Sequence, residues 1–153
     1  MVSVEYYPST MNVKAKPDPA TEAWSTFLGI LFDERPPRIP AVAAEFQVSP
    51  LGLRLLQILE PGPGTPMSAV AERLGCDASN VTGIVDRLEA RGVLERRDDP
   101  RDRRVKRIAL TEEGAVVRER ALDRLYEPPE AIAGLSRADQ RALRDLLRRA
   151  VEG

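Results

Sequence analysis

Residues 65–110 read TPMSAVAERLGCDASNVTGIVDRLEARGVLERRDDPRDRRVKRIAL, and this stretch decides the fold. Thr65-Pro66 marks a helix start, and Ala69, Val70 and Leu74 fall on one face of the helix that follows. Gly75 stops it where a left-handed residue is favoured. Asp77 is an N-cap for a second helix over 78–91, whose Val81, Ile84, Val85 and Leu88 mark its buried side, and Gly92 closes it. Two helices joined by a tight glycine-containing turn are a helix-turn-helix. The period then shortens. Residues 93–97 and 105–110 have strand character, with Ile108 and Leu110 alternating against Arg107 and Ala109. Asp98 to Arg104, rich in turn formers, lie between the two runs. A helix-turn-helix followed at once by a hairpin with a charged tip predicts a winged helix.

Working outward, Ser49-Pro50 opens a helix through Leu53, Leu56 and Leu59 that ends at Pro61-Gly62-Pro63-Gly64. Ile39–Phe46 is a short helical segment. Before it, residues 20–35 carry Trp24, Phe27, Leu28 and Leu31 at i, i+3, i+4, i+7, and Pro36-Pro37 stops that helix. Met1–Pro19 has no period and reads as a flexible arm, with docking of Tyr6 and Tyr7 on a partner subunit as the alternative. Downstream, Thr111 caps a long helix with Glu112 and Glu113 in its first turn, running to Pro128-Pro129. Leu135-Ser136 starts a last helix with Leu143, Leu146, Leu147 and Val151 on one face and Arg141, Arg144, Arg148 and Arg149 elsewhere. The expected class is mainly α (α+β): a winged helix-turn-helix with a two-stranded wing over 49–110. An arm (1–19), N-terminal helices (20–48) and C-terminal helices (111–153) flank it. Apolar faces beyond what so small a core can cover assign both flanks to dimerisation.

Composition narrows the function. Aromatic residues are only 5% of 153, so the core is built from aliphatic side chains in helices. With no histidine and one cysteine, Cys76, the chain has no disulfide framework, no Cys/His zinc site and no histidine-based acid–base chemistry. No catalytic residue, metal or cofactor is assigned, and the chain is not read as an enzyme. No run approaches the roughly 18 apolar residues of a membrane span, and no secretion signal is visible, so the expected location is the cytoplasm. Cys76 reads as a small packing residue, with a redox role as the alternative. The net charge of −1 conceals an asymmetry. Residues 87–107 hold nine basic against five acidic side chains, +4, while 1–86 stand at −4 and 108–153 at −1. A basic block in an acidic chain is the footprint of a phosphate-binding element, or else a solvated charged loop.

The polar face of helix 78–91 presents Ser79, Asn80, Thr82, Gly83 and Arg87, the candidates for contact with double-stranded DNA in the major groove. Gly83 lowers helix stability by about 1 kcal/mol relative to alanine, and close approach of the backbone to a duplex would explain it. Arg101, Arg103 and Arg104 at the hairpin tip suit a narrow, electronegative minor groove. Arg96 and Arg97, with Lys106 and Arg107, read as phosphate contacts or exposed strand residues. Trp24, Phe27, Leu28 and Leu55 are candidates to line a pocket for a small-molecule effector, with core or dimer interface as the alternative.

Val81–Arg97, VTGIVDRLEARGVLERR, and its continuation DDPRDRRVKRIALTEEG to Gly114 resemble the core of the MarR family of bacterial transcription regulators. The matching elements are the Leu-Glu-x-x-Gly end of the recognition helix, the Asp-x-Arg of the wing (Asp102, Arg104) and the Leu-Thr-x-x-Gly start of the next helix (Leu110, Thr111, Gly114). The resemblance extends over about residues 20–150. It implies a homodimer with interlocked terminal helices, a repressor on a near-palindromic operator, and release by a small ligand or oxidant. It also implies that Arg104 enters the minor groove and that Asp102 orients it through a charge-assisted pair. The first helix has no cysteine, so the thiol-sensing branch of the family is not matched, and the proline-rich stretch from Arg35 to Pro40 departs from its usual first helix. The rival reading is a winged-helix protein-interaction module, which has no need of three arginines at the wing tip.

Overall fold

The computed structural model describes residues 18–33 and 37–152, so the arm and its Tyr6 and Tyr7 lie almost wholly outside the described residues, as do Arg35 and Pro36. Residues 38–127 form one compact unit. Its elements are α2 (Arg38–Glu45), α3 (Pro50–Ile58), β1 (Thr65–Pro66), α4 (Met67–Leu74), α5 (Ala78–Ala90), β2 (Leu94–Asp98), β3 (Lys106–Leu110) and α6 (Glu112–Tyr126). The first helix of the chain, α1, is Pro19–Asp33.

The inward stripe of α5 is buried as its spacing requires: Val81, Ile84, Val85 and Leu88 pack with Leu55, Leu56 and Leu59 of α3 and its end, Val70 and Leu74 of α4, and Val93, Leu94, Ile108 and Leu110 of the wing. At about 25 cal/mol per Å² of apolar surface removed from water, this single cluster is the main stabilising element of the unit. A smaller cluster joins Val42 and Ala43 of α2, Leu53 of α3 and Ala121 of α6. Thus α2 and α6, assigned from sequence to the flanking segments, pack on α3 and on each other.

The caps act at specific atoms. Ser49 Oγ accepts from Gly52 N at 2.9 Å, and Thr111 Oγ1 accepts from Gly114 N at 2.9 Å. Gly75 and Gly92 both take the left-handed conformation, φ 63° and 70°. Asp77 occupies the N-cap of α5 with extended backbone, but its carboxylate makes no capping bond, a correction to the sequence reading.

The sheet adds to the sequence reading. The expected two-stranded wing is present as the β2–β3 hairpin, and a third strand that the sequence did not show joins it, giving the order β1-β3-β2, all antiparallel. Thr65 pairs with Ile108 and Pro66 with Arg107, so Thr65-Pro66 is a strand and the helix begins at Met67. The reason is local. Pro66 has φ −55° and ψ 140°, outside the helical region, and a Cβ on Gly64 would lie 2.7 Å from Ile108 O. Glycine lets the chain settle directly on β3.

The second unit comprises residues 1–37 and 128–153. It holds α1, the short α7 (Glu130–Ala133), which sequence did not anticipate, and α8 (Arg137–Glu152). Asp18 caps α1 through Ala20 N at 3.0 Å, and Ser136 Oγ accepts from Asp139 N at 3.2 Å to start α8. Trp24 and Phe27 stack with ring centroids 5.9 Å apart, and Trp24 is 60% exposed. Leu146, Leu147 and Val151 of α8 are exposed.

Candidate nucleic-acid interface

With its apolar side in the core, α5 turns Ser79, Asn80, Thr82, Asp86 and Arg87 outward, and all are exposed. Gly83 shares this face, and a Cβ built on it meets nothing within 4 Å. No packing within the protein therefore requires glycine here. Gly83→Ala is expected to stabilise the isolated protein by about 1 kcal/mol in urea unfolding while weakening DNA binding. Equal or tighter DNA binding by the variant would remove any role for close backbone approach.

The wing tip is built by aspartates. Asp99 N donates to Val105 O at 3.0 Å and Val105 N to Asp102 O at 2.9 Å, closing the loop. The Asp99 carboxylate accepts Arg101 N at 2.8 Å, and the Asp102 carboxylate accepts Arg104 N at 2.9 Å. The latter contact departs from the expected Asp102–Arg104 side-chain pair. Asp102 reaches the main chain two residues on, the bond a tight turn offers an aspartate, and so holds the loop rather than the guanidinium. Arg101, Arg103 and Arg104 are exposed, and none has an ion pair among the described residues. The Arg87 guanidinium likewise has none among them.

The remaining cations of the basic block are committed within the chain. Arg96 bonds Asp86 Oδ1 at 2.5 Å and pairs with Glu89, joining β2 to α5. Arg97 pairs with Glu95 (Nε to Oε1 3.0 Å) and reaches Gly62 O at 3.2 Å, and Lys106 pairs with Asp98. Arg107 Nη1 bonds Asp99 Oδ2 at 2.7 Å, and its Nε meets Gly64 O at 3.1 Å. Arg91 donates to Gln47 O at 2.6 Å and Phe46 O at 3.1 Å. Sequence alone ranked Arg96 and Arg97 with the DNA-facing arginines. The structure engages both within the chain: Arg96 with two acids of α5, Arg97 with Glu95 of its own strand and Gly62 O. The Asp99 carboxyl is held below the usual carboxylate range, first by the Arg101 N–H and then by the Arg107 guanidinium.

Of the effector candidates, Leu55 is wholly buried in the main core and offers no surface, a correction to its expected place in a pocket. Phe27 and Leu28 are half-buried, beside the exposed Trp24. Cys76 is half-buried, and its Sγ lies 3.4 Å from Leu74 O. No described helix is long and apolar enough to cross a membrane.

Comparison with known proteins agrees with this geometry. The profile of the MarR family matches residues 48–106. The chain is 33% identical over 95 residues to the HTH-type transcriptional repressor MdtR of Bacillus subtilis, covering 62% of this chain and 61% of that one. It is 31% identical over 111 residues to the HTH-type transcriptional regulator YkoM of the same organism, covering 69% and 70%. The chain spans 50–61% of the length of MdtR and of two further Bacillus subtilis regulators that it matches. Among solved structures, CouR from Rhodococcus jostii RHA1 bound to p-coumaroyl-CoA superposes with a TM-score of 0.61 at 29% identity, over 88% of this chain and 93% of that one. CouR bound to a 23-mer DNA duplex superposes at 0.58 with 24% identity, over 87% and 92%. A winged helix with this wing, matched by the family profile and by a relative of which it covers more than two thirds, makes the chain a member of the MarR family of transcription regulators.

Proposed function

We propose that the protein is a cytoplasmic, homodimeric repressor that binds a pseudo-palindromic operator and responds to a small molecule. Each protomer lays α5 in a major groove, with Asn80 and Arg87 on base edges or phosphate, and places its wing in the flanking minor groove. The observation that carries this reading is the partition of charge. Within the basic block 87–107, Arg87, Arg101, Arg103 and Arg104 are exposed and have neither an ion pair nor a side-chain hydrogen bond among the described residues, whereas Arg91 is held by two carbonyls and the other four cations by acids. Arginines free of internal partners are available to phosphate and to an electronegative groove without first breaking a bond. The exposed apolar residues Leu146, Leu147 and Val151 support a second copy as the partner of the terminal helices. CouR, which binds p-coumaroyl-CoA, supports an effector of similar class, and the stacked Trp24–Phe27 pair with Leu28 is the surface proposed for it.

The test is fluorescence anisotropy against the duplex upstream of the protein's own coding sequence. If Arg87, Arg101 and Arg103 of each protomer meet phosphate while Arg104 enters the minor groove, log K falls with log salt at a slope of about −5. Equal weak binding to every sequence would leave a nonspecific architectural protein, and no binding at low salt would leave a protein-interaction module. An aromatic acyl-CoA thioester such as p-coumaroyl-CoA is expected to release the DNA, with the free aromatic acid run beside it. Unchanged anisotropy at saturating thioester would exclude that effector class.

A further inference from the structure

Among the described residues, Arg107 ties the wing tip to the loop between α3 and β1. Arg107, on β3, is 22% exposed in its side chain, and Asp99, at the start of the tip loop, is 15% exposed. The guanidinium lies between three acceptors of different origin: Asp99 Oδ2 at 2.7 Å, Gly64 O, and Pro63 O at 3.3 Å. The last two belong to the loop between α3 and β1. Arg97, from β2, reaches Gly62 O in that same loop. Gly64 has φ +85°, and no other residue could bring its carbonyl so near β3, because a Cβ there would strike the Ile108 carbonyl. A planar fork is required to hold a carboxylate and two carbonyls at once, and lysine has none.

We infer that Asp99 and Arg107 are positioning residues for DNA binding: they fix the wing tip against the Pro61–Gly64 loop so that Arg104 meets the minor groove at a set height and angle. The inference rests on the DNA-binding reading above. Neither residue touches DNA in this account. Asp99 holds the tip from within by accepting Arg101 N, and Arg107 carries that constraint to the body. A wing freed at this point keeps its sheet pairing, since Arg97 still faces Arg107 in register, but its tip samples more orientations before binding. The ordering is then lost from affinity.

Simple electrostatics and the brace predict opposite signs for Asp99→Asn. Removing an acid near a polyanion should tighten binding. Loosening the brace should weaken it, while the Asn side-chain oxygen still accepts the Arg101 N–H. Arg107→Lys keeps the charge and removes the fork, so a phosphate contact would survive it and a brace would not. Both variants are measured by anisotropy on the full chain with the upstream duplex, alone and combined with Arg104→Ala. Thermal unfolding by circular dichroism accompanies each. The expected result is about a tenfold weakening for each single variant with little change in unfolding midpoint, and less than about a twofold further effect in the Arg104→Ala background. Tighter or unchanged binding by Asp99→Asn, or full additivity with Arg104→Ala, overturns the brace while leaving the DNA-binding reading intact. Failure of the wild type to prefer the upstream duplex overturns both.

Discussion

Gly114→Ala is expected to lower the free energy of unfolding by about 3 kcal/mol or more, the upper end of what overpacking a core does. A Cβ built on Gly114 would sit 1.9 Å from Val93 O and 2.9 Å from its carbonyl carbon. These are main-chain atoms and cannot rotate away. Relief would require α6 to withdraw from the start of the wing. That would break Thr111 N to Val93 O at 3.2 Å and the bond from the Thr111 hydroxyl to Gly92 O. The family's Leu-Thr-x-x-Gly pattern thus has a steric cause in this chain: threonine stitches the helix start to the strand, and the glycine three residues on permits the contact. For a domain with a total stability of roughly 5–15 kcal/mol, the loss is a large fraction. Urea unfolding should show a lower midpoint with an unchanged slope. A shift below about 0.5 kcal/mol, the scale of a neutral surface change, would mean that the close approach is not present in solution.

Arg104→Ala is expected to remove most operator affinity without unfolding the protein. Its side chain is exposed and has no ion pair among the described residues, and its backbone N–H is held by Asp102, so truncation leaves the loop closed. An arginine contact in a groove contributes about 1–3 kcal/mol. In the proposed homodimer two protomers would double it, giving a loss between roughly 30-fold and 10⁴-fold in affinity at about 1.4 kcal/mol per tenfold. The loss should shrink when the A·T pairs flanking the major-groove site are changed to G·C, since the wild type then loses the narrow groove as well. An equal loss on operator and on scrambled DNA would reassign Arg104 to a generic phosphate contact.

The helix-turn-helix was legible in the sequence because its information is local. Val81, Ile84, Val85 and Leu88 recur at the helical period, all are buried, and the glycines predicted to end α4 and α5 have positive φ. The caps at Ser49 and Thr111 were legible for the same reason. What the sequence concealed depends on residues far apart in the chain. A two-residue strand has no period to detect, and Thr65-Pro66 looks like a helix start until Ile108 and Arg107 are placed beside it. The allocation of arginines was hidden in the same way. Arg96 and Arg104 are alike in composition and neighbourhood, yet one is bonded to Asp86 and Glu89 across an element boundary and the other is not. Leu55 looked available to a ligand because a buried leucine and a pocket-lining one have the same spacing.

The Arg96 pairing acquires its meaning from the core beneath it. The recognition helix and the wing share one apolar cluster, with Val81, Val85 and Leu88 against Val93, Leu94 and Ile108, and Arg96 ties their outer surfaces together as well. Close-packed interiors do not deform gradually. Helix and hairpin are therefore one stiff reading head, and in the proposed ligand-responsive homodimer a signal would change the distance between the two heads rather than the angle within each. Sensitivity to spacing, rather than to the shape of each half-site contact, is what such a head would pass on to the DNA.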